Sequence, residues 1–160
     1  MGLFDLFKME KEPSLNEKIK KWESKGLHYI KTYYGDGIKY RYIGGLERHQ
    51  KETYIKEINF FKEKIQIVLG ESEVANISVK RIKKASLMSS VEIQEKIGLG
   101  KIAVFGVFAL AMKNKKNINK RYINIELDEG DGVEYSVFLE VPTKDIAIVK
   151  LINKIIKEEI

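Results

Sequence analysis

The side chains that could do chemistry are few. The chain has two histidines, His28 and His49, and no cysteine. A disulfide framework and a thiolate metal site are therefore excluded, and the histidines lack the H-E-x-x-H spacing that would set two rings on one helix face for zinc. Gly98-Leu99-Gly100-Lys101-Ile102 is similar to a phosphate-cradling loop. It lacks the first glycine at the required distance and the Ser or Thr that must follow the lysine. Asp128-Glu129-Gly130-Asp131-Gly132 is acidic, without the ligand spacing or closing glutamate of a calcium loop. It reads as a hairpin turn that binds no metal, with Gly130 and Gly132 there for backbone geometry. No Gly-x-Ser-x-Gly elbow occurs, and nothing places two carboxylates across one cleft. No catalytic constellation, metal site or cofactor site follows. The expectation is a binding or interaction module rather than an enzyme.

Cations are the remaining candidates. Arg48, His49 and Lys51 follow Gly44-Gly45, interspersed with Glu47 and Glu52. Lys113, Lys115, Lys116, Lys120 and Arg121 follow a run of eleven uncharged, mostly apolar residues, 102–112, that carries Phe105 and Phe108. At about 1.5 Å per residue this run is too short to span a membrane. It reads either as a buried core segment or as an apolar patch that meets a membrane or a partner. Apolar residues followed at once by lysines are what an interfacial segment beside anionic headgroups would show. Arg48, His49, Lys51, Lys113, Lys115, Lys116 and Arg121 are thus the candidate ligand contacts, and Phe105 and Phe108 the candidate membrane or partner contacts.

The 160 residues are 44% hydrophobic and 32% charged with a net charge of +6, and the pI is about 9.3. That is a globular composition, long enough for one domain with a core. The basic balance admits an anionic membrane surface or nucleic acid, although Lys, Ile and Asn richness also mirrors an AT-rich genome. Absence of cysteine fits a reducing compartment. The start, Met1-Gly2-Leu3-Phe4, lacks the pattern of a signal peptide, and the myristoylation pattern fails at position 6. The expected location is cytoplasmic, with peripheral attachment at the inner membrane face. The expected partner is a protein or an anionic lipid surface. Nucleic acid ranks behind these, and a homo-oligomer stays open.

The elements that must position these residues read as follows. Residues 2–8 form a short amphipathic stub. Ser14 and Glu17 make a capping box for a helix with Leu15, Ile19 and Trp22 at helical spacing and Gly26 as its stop. Trp22 is expected to be a packing anchor. Residues 27–34 and 38–43 flank Gly35-Asp36-Gly37 and read as a hairpin. Five tyrosines, 29, 33, 34, 40 and 42, concentrate there. They suit either a packed strand face or a base-stacking face. Residues 53–61 and 64–69 form the next pair. Residues 74–79 and 82–88 read as one strand with an irregularity near Lys80-Arg81, and 90–97 as a short helix or an extended connection. Residues 120–127 and 133–141 alternate apolar and polar, as half-buried strands do. Pro142 ends the last strand. Thr143 is a candidate N-cap for a helix running to 159, with Asp145 in its first turn. That helix should bury Ile148, Leu151, Ile152 and Ile155 on one face.

This order of elements resembles the bacterial pleckstrin-homology-like (PH-like) family and related GRAM-type domains. The residues that carry the likeness are Tyr42-Ile43-Gly44-Gly45-Leu46, the arm 60–69, Val79-Lys80-Arg81-Ile82-Lys83-Lys84, the apolar glycine-containing insert at about 97–112, and the closing strands and helix. The resemblance covers residues 27–160 and leaves 1–26 as an N-terminal helical extension. It implies a mainly β fold with α: a bent antiparallel barrel of about seven strands closed by a C-terminal helix. Eukaryotic relatives bind phosphoinositides through basic residues on an early inter-strand loop, here the loop of Arg48, His49 and Lys51.

Overall fold

The computed structural model describes residues 13–35, 40–46, 48–49, 51–98, 121–128, 134–141 and 146–158. The N-terminal helix is α1 (Leu15–Ser24). It begins where the capping box places it. The Ser14 hydroxyl accepts from the Glu17 N–H, and the Glu17 carboxylate accepts from the Ser14 N–H. Gly26, at φ +76°, lies just beyond its end.

Among the described residues eight strands follow: β1 (Tyr29–Tyr34), β2 (Arg41–Gly44), β3 (Thr53–Phe61), β4 (Lys64–Leu69), β5 (Glu73–Ser78), β6 (Ile82–Ser89), β7 (Arg121–Asp128) and β8 (Glu134–Val141). Helix α2 (Ser90–Gly98) follows β6, and α3 (Ala147–Ile156) follows β8. All pairings are antiparallel. The sheet runs β5-β4-β3-β2-β8-β7-β6, with β1 also on β3. The two halves enclose one core, in which Ile58, Phe60, Ile65 and Ile67 meet Ile123, Ile125, Val137 and Leu139. Ile148, Ile152 and Ile155 of α3 complete it, with Leu151 partly buried beside them. At about 1.5–3 kcal/mol for each large side chain buried, this cluster is the main stabilising term.

Several expectations are corrected. The sheet is open: β5 and β6 end it and do not pair with each other, so it is not a closed barrel. Strands β1 and β2 do not form a hairpin. Both pair with the same edge of β3, β1 along 57–61 and β2 at Thr53 and Tyr54. The chain turns a corner between them, where Gly35 donates its N–H to the Lys56 carbonyl. A Cβ on Gly35 would lie 1.8 Å from the Ile55 carbonyl oxygen, so only glycine allows this approach. A bulge at Lys56 restores the phase, sending both Ile55 and Ile58 into the core.

Residues 74–88 are likewise two strands. A 3-10 turn, Val79–Arg81, separates β5 from β6, which lie at opposite ends of the sheet. Both faces of β7 and β8 are buried, not one: Tyr122, Asn124, Glu126, Ser136, Phe138 and Glu140 are all inaccessible. Helix α2 contributes Ile93 to that outer layer and sets Lys96 at 3.8 Å from Glu126. Helix α3 starts at Ala147, with Ile146 as an N-cap that makes no side-chain bond. Thr143 and Asp145, the expected first turn, lie outside the described residues, as do residues 1–12, the apolar run 102–112 and the turn beyond Asp128.

Trp22 anchors α1 on the outer face of the sheet. Its ring stacks on Tyr29 at 5.2 Å and meets Phe61 edge-on at 4.8 Å. Beside it a line of polar side chains crosses four strands at one level. Thr32 donates to Asn59 Oδ1 at 2.7 Å, Asn59 to Gln66 Oε1 at 3.1 Å, and Gln66 to Asn76 Oδ1 at 3.5 Å. These residues are direct cross-strand partners on β1, β3, β4 and β5.

Candidate functional site

Strand β2 ends at Gly44, and Gly45 follows it, at φ +154° and +114°. A Cβ on Gly45 would lie 2.0 Å from the Ser136 carbonyl oxygen, so the chain can lie this close to β8 only without a side chain. It then makes a tight turn, in which the His49 N–H donates to the Leu46 carbonyl at 3.1 Å. The wholly buried Tyr42 fastens this turn from below. Its hydroxyl accepts from the Leu46 N–H at 3.0 Å and donates to the His49 carbonyl. Burial pushes the Tyr42 hydroxyl up to about 12, against a smaller opposing effect of the Leu46 N–H bond.

The turn presents Arg48 and His49 to a cleft of about 290 Å³, lined by Leu46, Arg48, His49, Val74, Asn76 and Arg81. Three elements meet there: the loop after β2, strand β5 and the 3-10 turn. Arg48 and Arg81 supply fixed positive charge, because a guanidinium does not lose its proton in proteins. His49 Nδ1 lies 3.4 Å from Glu73, a carboxylate that is 70% exposed. One carboxylate therefore stands beside the two guanidinium groups at this opening. Two guanidinium groups and an amide around one opening can receive a carboxylate or a phosphate.

Of the expected site residues, Arg48 and His49 are brought together. Lys51 is not with them: it lines a separate depression with Glu52, Glu71 and Glu73, where the charge is largely acidic. Arg121 opens β7, opposite Ser89 and Val141, and does not line the cleft. Lys113, Lys115, Lys116, Phe105 and Phe108 lie outside the described residues. Arg81 joins Arg48 and His49 although sequence spacing places it only at an irregularity within one long strand and says nothing of its nearness to residues 48–49. The irregularity at Lys80-Arg81 is the local trace of the 3-10 turn that puts Arg81 there.

The tyrosines are placed against the stacking reading. Tyr42 is in the core, Tyr33 and Tyr40 pack against it, and Tyr29 is engaged with Trp22. Of the five, only Tyr34 is largely exposed, at 61%. Among the described residues no cluster of three or more His, Asp or Glu side chains could hold a metal ion, and no helix is long and apolar enough to cross a membrane. No family model matches the chain, and no curated protein matches it.

Proposed function

We propose that this chain is a non-enzymatic binding module of pleckstrin-homology-like architecture, and that the cleft beside Arg48 and Arg81 receives an anionic group of its partner. The observation that carries the reading is that Arg81, remote in sequence from the neighbours Arg48 and His49, shares one opening with them. The architecture is supported by the unbroken antiparallel order of the strands and by a C-terminal helix packed on the sheet end. Attachment to the cytoplasmic face of the inner membrane belongs to the same proposal. It rests on the lysines at 113, 115 and 116 with Phe105 and Phe108, each lysine being worth about 1 kcal/mol near an anionic surface. Nucleic acid retains only the net charge in its favour.

The test is an NMR titration of isotope-labelled protein with inositol hexakisphosphate as a general polyanion. Amide shifts should concentrate at residues 46–49, 74–76 and 81. Arg48→Glu should weaken binding by about tenfold or more, since a charge-assisted hydrogen bond is worth about 1.5–3 kcal/mol. Lys51→Glu makes the same change in net charge in the neighbouring depression and should have a smaller effect. Equal loss in the two variants would reduce the cleft to diffuse surface charge and refute the reading.

A further inference from the structure

Strand β5 is an edge, and its free side forms one wall of the cleft. The Val79 N–H donates to the Glu63 carbonyl, and β5 pairs with β4 through Ser78↔Lys64, Ile77↔Ile65, Asn76↔Gln66, Ala75↔Ile67 and Val74↔Val68. In an antiparallel ladder the hydrogen-bonding direction alternates from residue to residue. Ile77 and Ala75 therefore point their N–H and C=O groups at β4, as Val79 does. Val74, Asn76 and Ser78 point theirs away. No described strand pairs with that side, and all three residues are exposed. Two of them, Val74 and Asn76, line the cleft with Arg48 and Arg81. The opening thus has backbone donors and acceptors of β5 along one side, Arg48 on the loop after β2, and Arg81 on the turn that follows β5.

The amide ladder adds chemistry. Each step across Thr32, Asn59, Gln66 and Asn76 passes a hydrogen bond to the next strand. Asn76 Oδ1 accepts from Gln66, which leaves its amide N–H groups to serve an acceptor on the open side. An added strand that continues the ladder would need an acceptor opposite Asn76, and the nearby guanidinium groups favour a charged one. A second copy of this chain fits poorly, because joining two β5 edges would bring two Arg48–Arg81 sets together.

We propose that the free edge of β5 takes an extended acidic segment of a protein partner as an added strand, with a carboxylate of that segment seated between Arg48, Arg81 and Asn76. This names the partner class for the cleft and rests on the function proposed above. Main-chain hydrogen bonds to Val74, Asn76 and Ser78 hold the segment, and the cleft selects its charge.

The experiment uses the full chain and three labelled hexapeptides in fluorescence anisotropy: Thr-Val-Glu-Val-Glu-Thr with blocked ends, its Gln-for-Glu analogue, and the acidic peptide N-methylated at alternate residues. Inositol hexakisphosphate is titrated in parallel. The acidic peptide should bind about tenfold or more tightly than both analogues, with Val74, Asn76 and Ser78 amides perturbed by NMR and affinity lost in Arg48→Glu, whose fold is checked by its melt. If the N-methylated peptide binds as well as its parent, the cleft holds an anion without strand addition. The inference is then overturned while the binding function survives. If the Gln analogue binds equally, the charge selection is wrong and the inference likewise falls. If the polyanion binds at the cleft and no peptide does, the partner is not an acidic segment. If neither binds, the proposed function fails as well. A dimer in sedimentation equilibrium with the β5 amides protected would make a second copy the occupant and also overturn the inference.

Discussion

The far edge of the sheet is closed by one side chain, and removing it gives a measurable prediction. Asn153, on α3, accepts from the Ala85 N–H at 3.0 Å and donates to the Ala85 carbonyl at 2.9 Å. Ala85 belongs to edge strand β6 and is 5% exposed. The amide of Asn153 therefore acts as a one-residue strand on an edge that no described strand pairs. Asn153→Ala leaves a donor and an acceptor in a largely buried position. Each such group costs about 1–3 kcal/mol when left without a partner. Asn153 is only partly buried, so water reaches the gap and lowers the cost. Alanine's better helix propensity returns roughly 0.5 kcal/mol. The net loss should be about 2–4 kcal/mol, out of a total stability of about 5–15 kcal/mol.

For a chain of this size each kcal/mol moves the melting temperature by about 2–4 °C, so the variant should melt roughly 5–15 °C lower. Calorimetry measures this, and hydrogen exchange at the Ala85 amide locates it. Exchange should accelerate at Ala85 more than at Ile123 or Ile125 in the adjoining strand. Ile152→Val, a pure packing change on the same helix at about 0.5–1.5 kcal/mol, should lower the melt without singling out Ala85. An Asn153→Ala protein that melts within about 1 °C of wild type, with Ala85 still protected, would refute the reasoning.

Three further outcomes are expected. Gly45→Ala combines positive φ with a Cβ 2.0 Å from the Ser136 carbonyl oxygen, atoms fixed by β8 pairing; a loss of about 3 kcal/mol or more is expected by denaturant titration, since strained sites cost more than the roughly 1 kcal/mol of an unstrained glycine change. Tyr42→Phe removes both ties on the turn of residues 46–49 and should cost about 1–3 kcal/mol, with the Leu46 amide exchanging faster and anion affinity falling although no cation is lost. Burial tends to raise the Glu63 carboxyl, but the hydrogen bonds from the His28 ring and N–H outweigh it and hold the group below 4.5. Its contribution is therefore full above the ordinary carboxylate range and disappears as pH falls through the lowered value. The melting difference between wild type and His28→Ala should accordingly shrink on acidification from about pH 6 to about pH 3.

What the sequence disclosed was local. The box of Ser14 and Glu17 needs only four residues, and α1 begins where it says. The alternation of Ile65, Ile67 and Leu69 fixes their face, and all three are buried. Ile148, Ile152 and Ile155 share a helical face because their spacing requires it. A second box, Ser89 with Glu92, was equally readable and decides that residues 90–98 are helical; both of its hydrogen bonds form. The failures were non-local. Gly35-Asp36-Gly37 signals a reversal, but no local rule tells whether the flanking strands pair with each other or side by side with a third. The corner at residues 79–81 is held by the Glu63 carbonyl, sixteen residues before Val79. Arg48 and Arg81 meet only because of that corner, so half of the cleft was invisible to spacing.

The cleft owes its form to the place where it lies. Strand β2 pairs with both β3 and β8 and so joins the two halves of the sheet. The turn it leads into is therefore anchored to both halves: through the Gly45 approach to β8 and through the Tyr42 hydroxyl rising from the core. With its pKa at about 12, that hydroxyl stays protonated across the physiological range and the tie does not loosen with pH. One wall of the cleft is thus tied to the core at Leu46 and His49, and the other is an edge strand paired with β4 along its length. Little of the protein needs ordering when a partner enters. In the proposed complex the entropic cost falls almost wholly on the incoming segment. Stiffening that segment in the extended state should then raise affinity more than adding contacts to the protein side, because the slot on this chain is already formed.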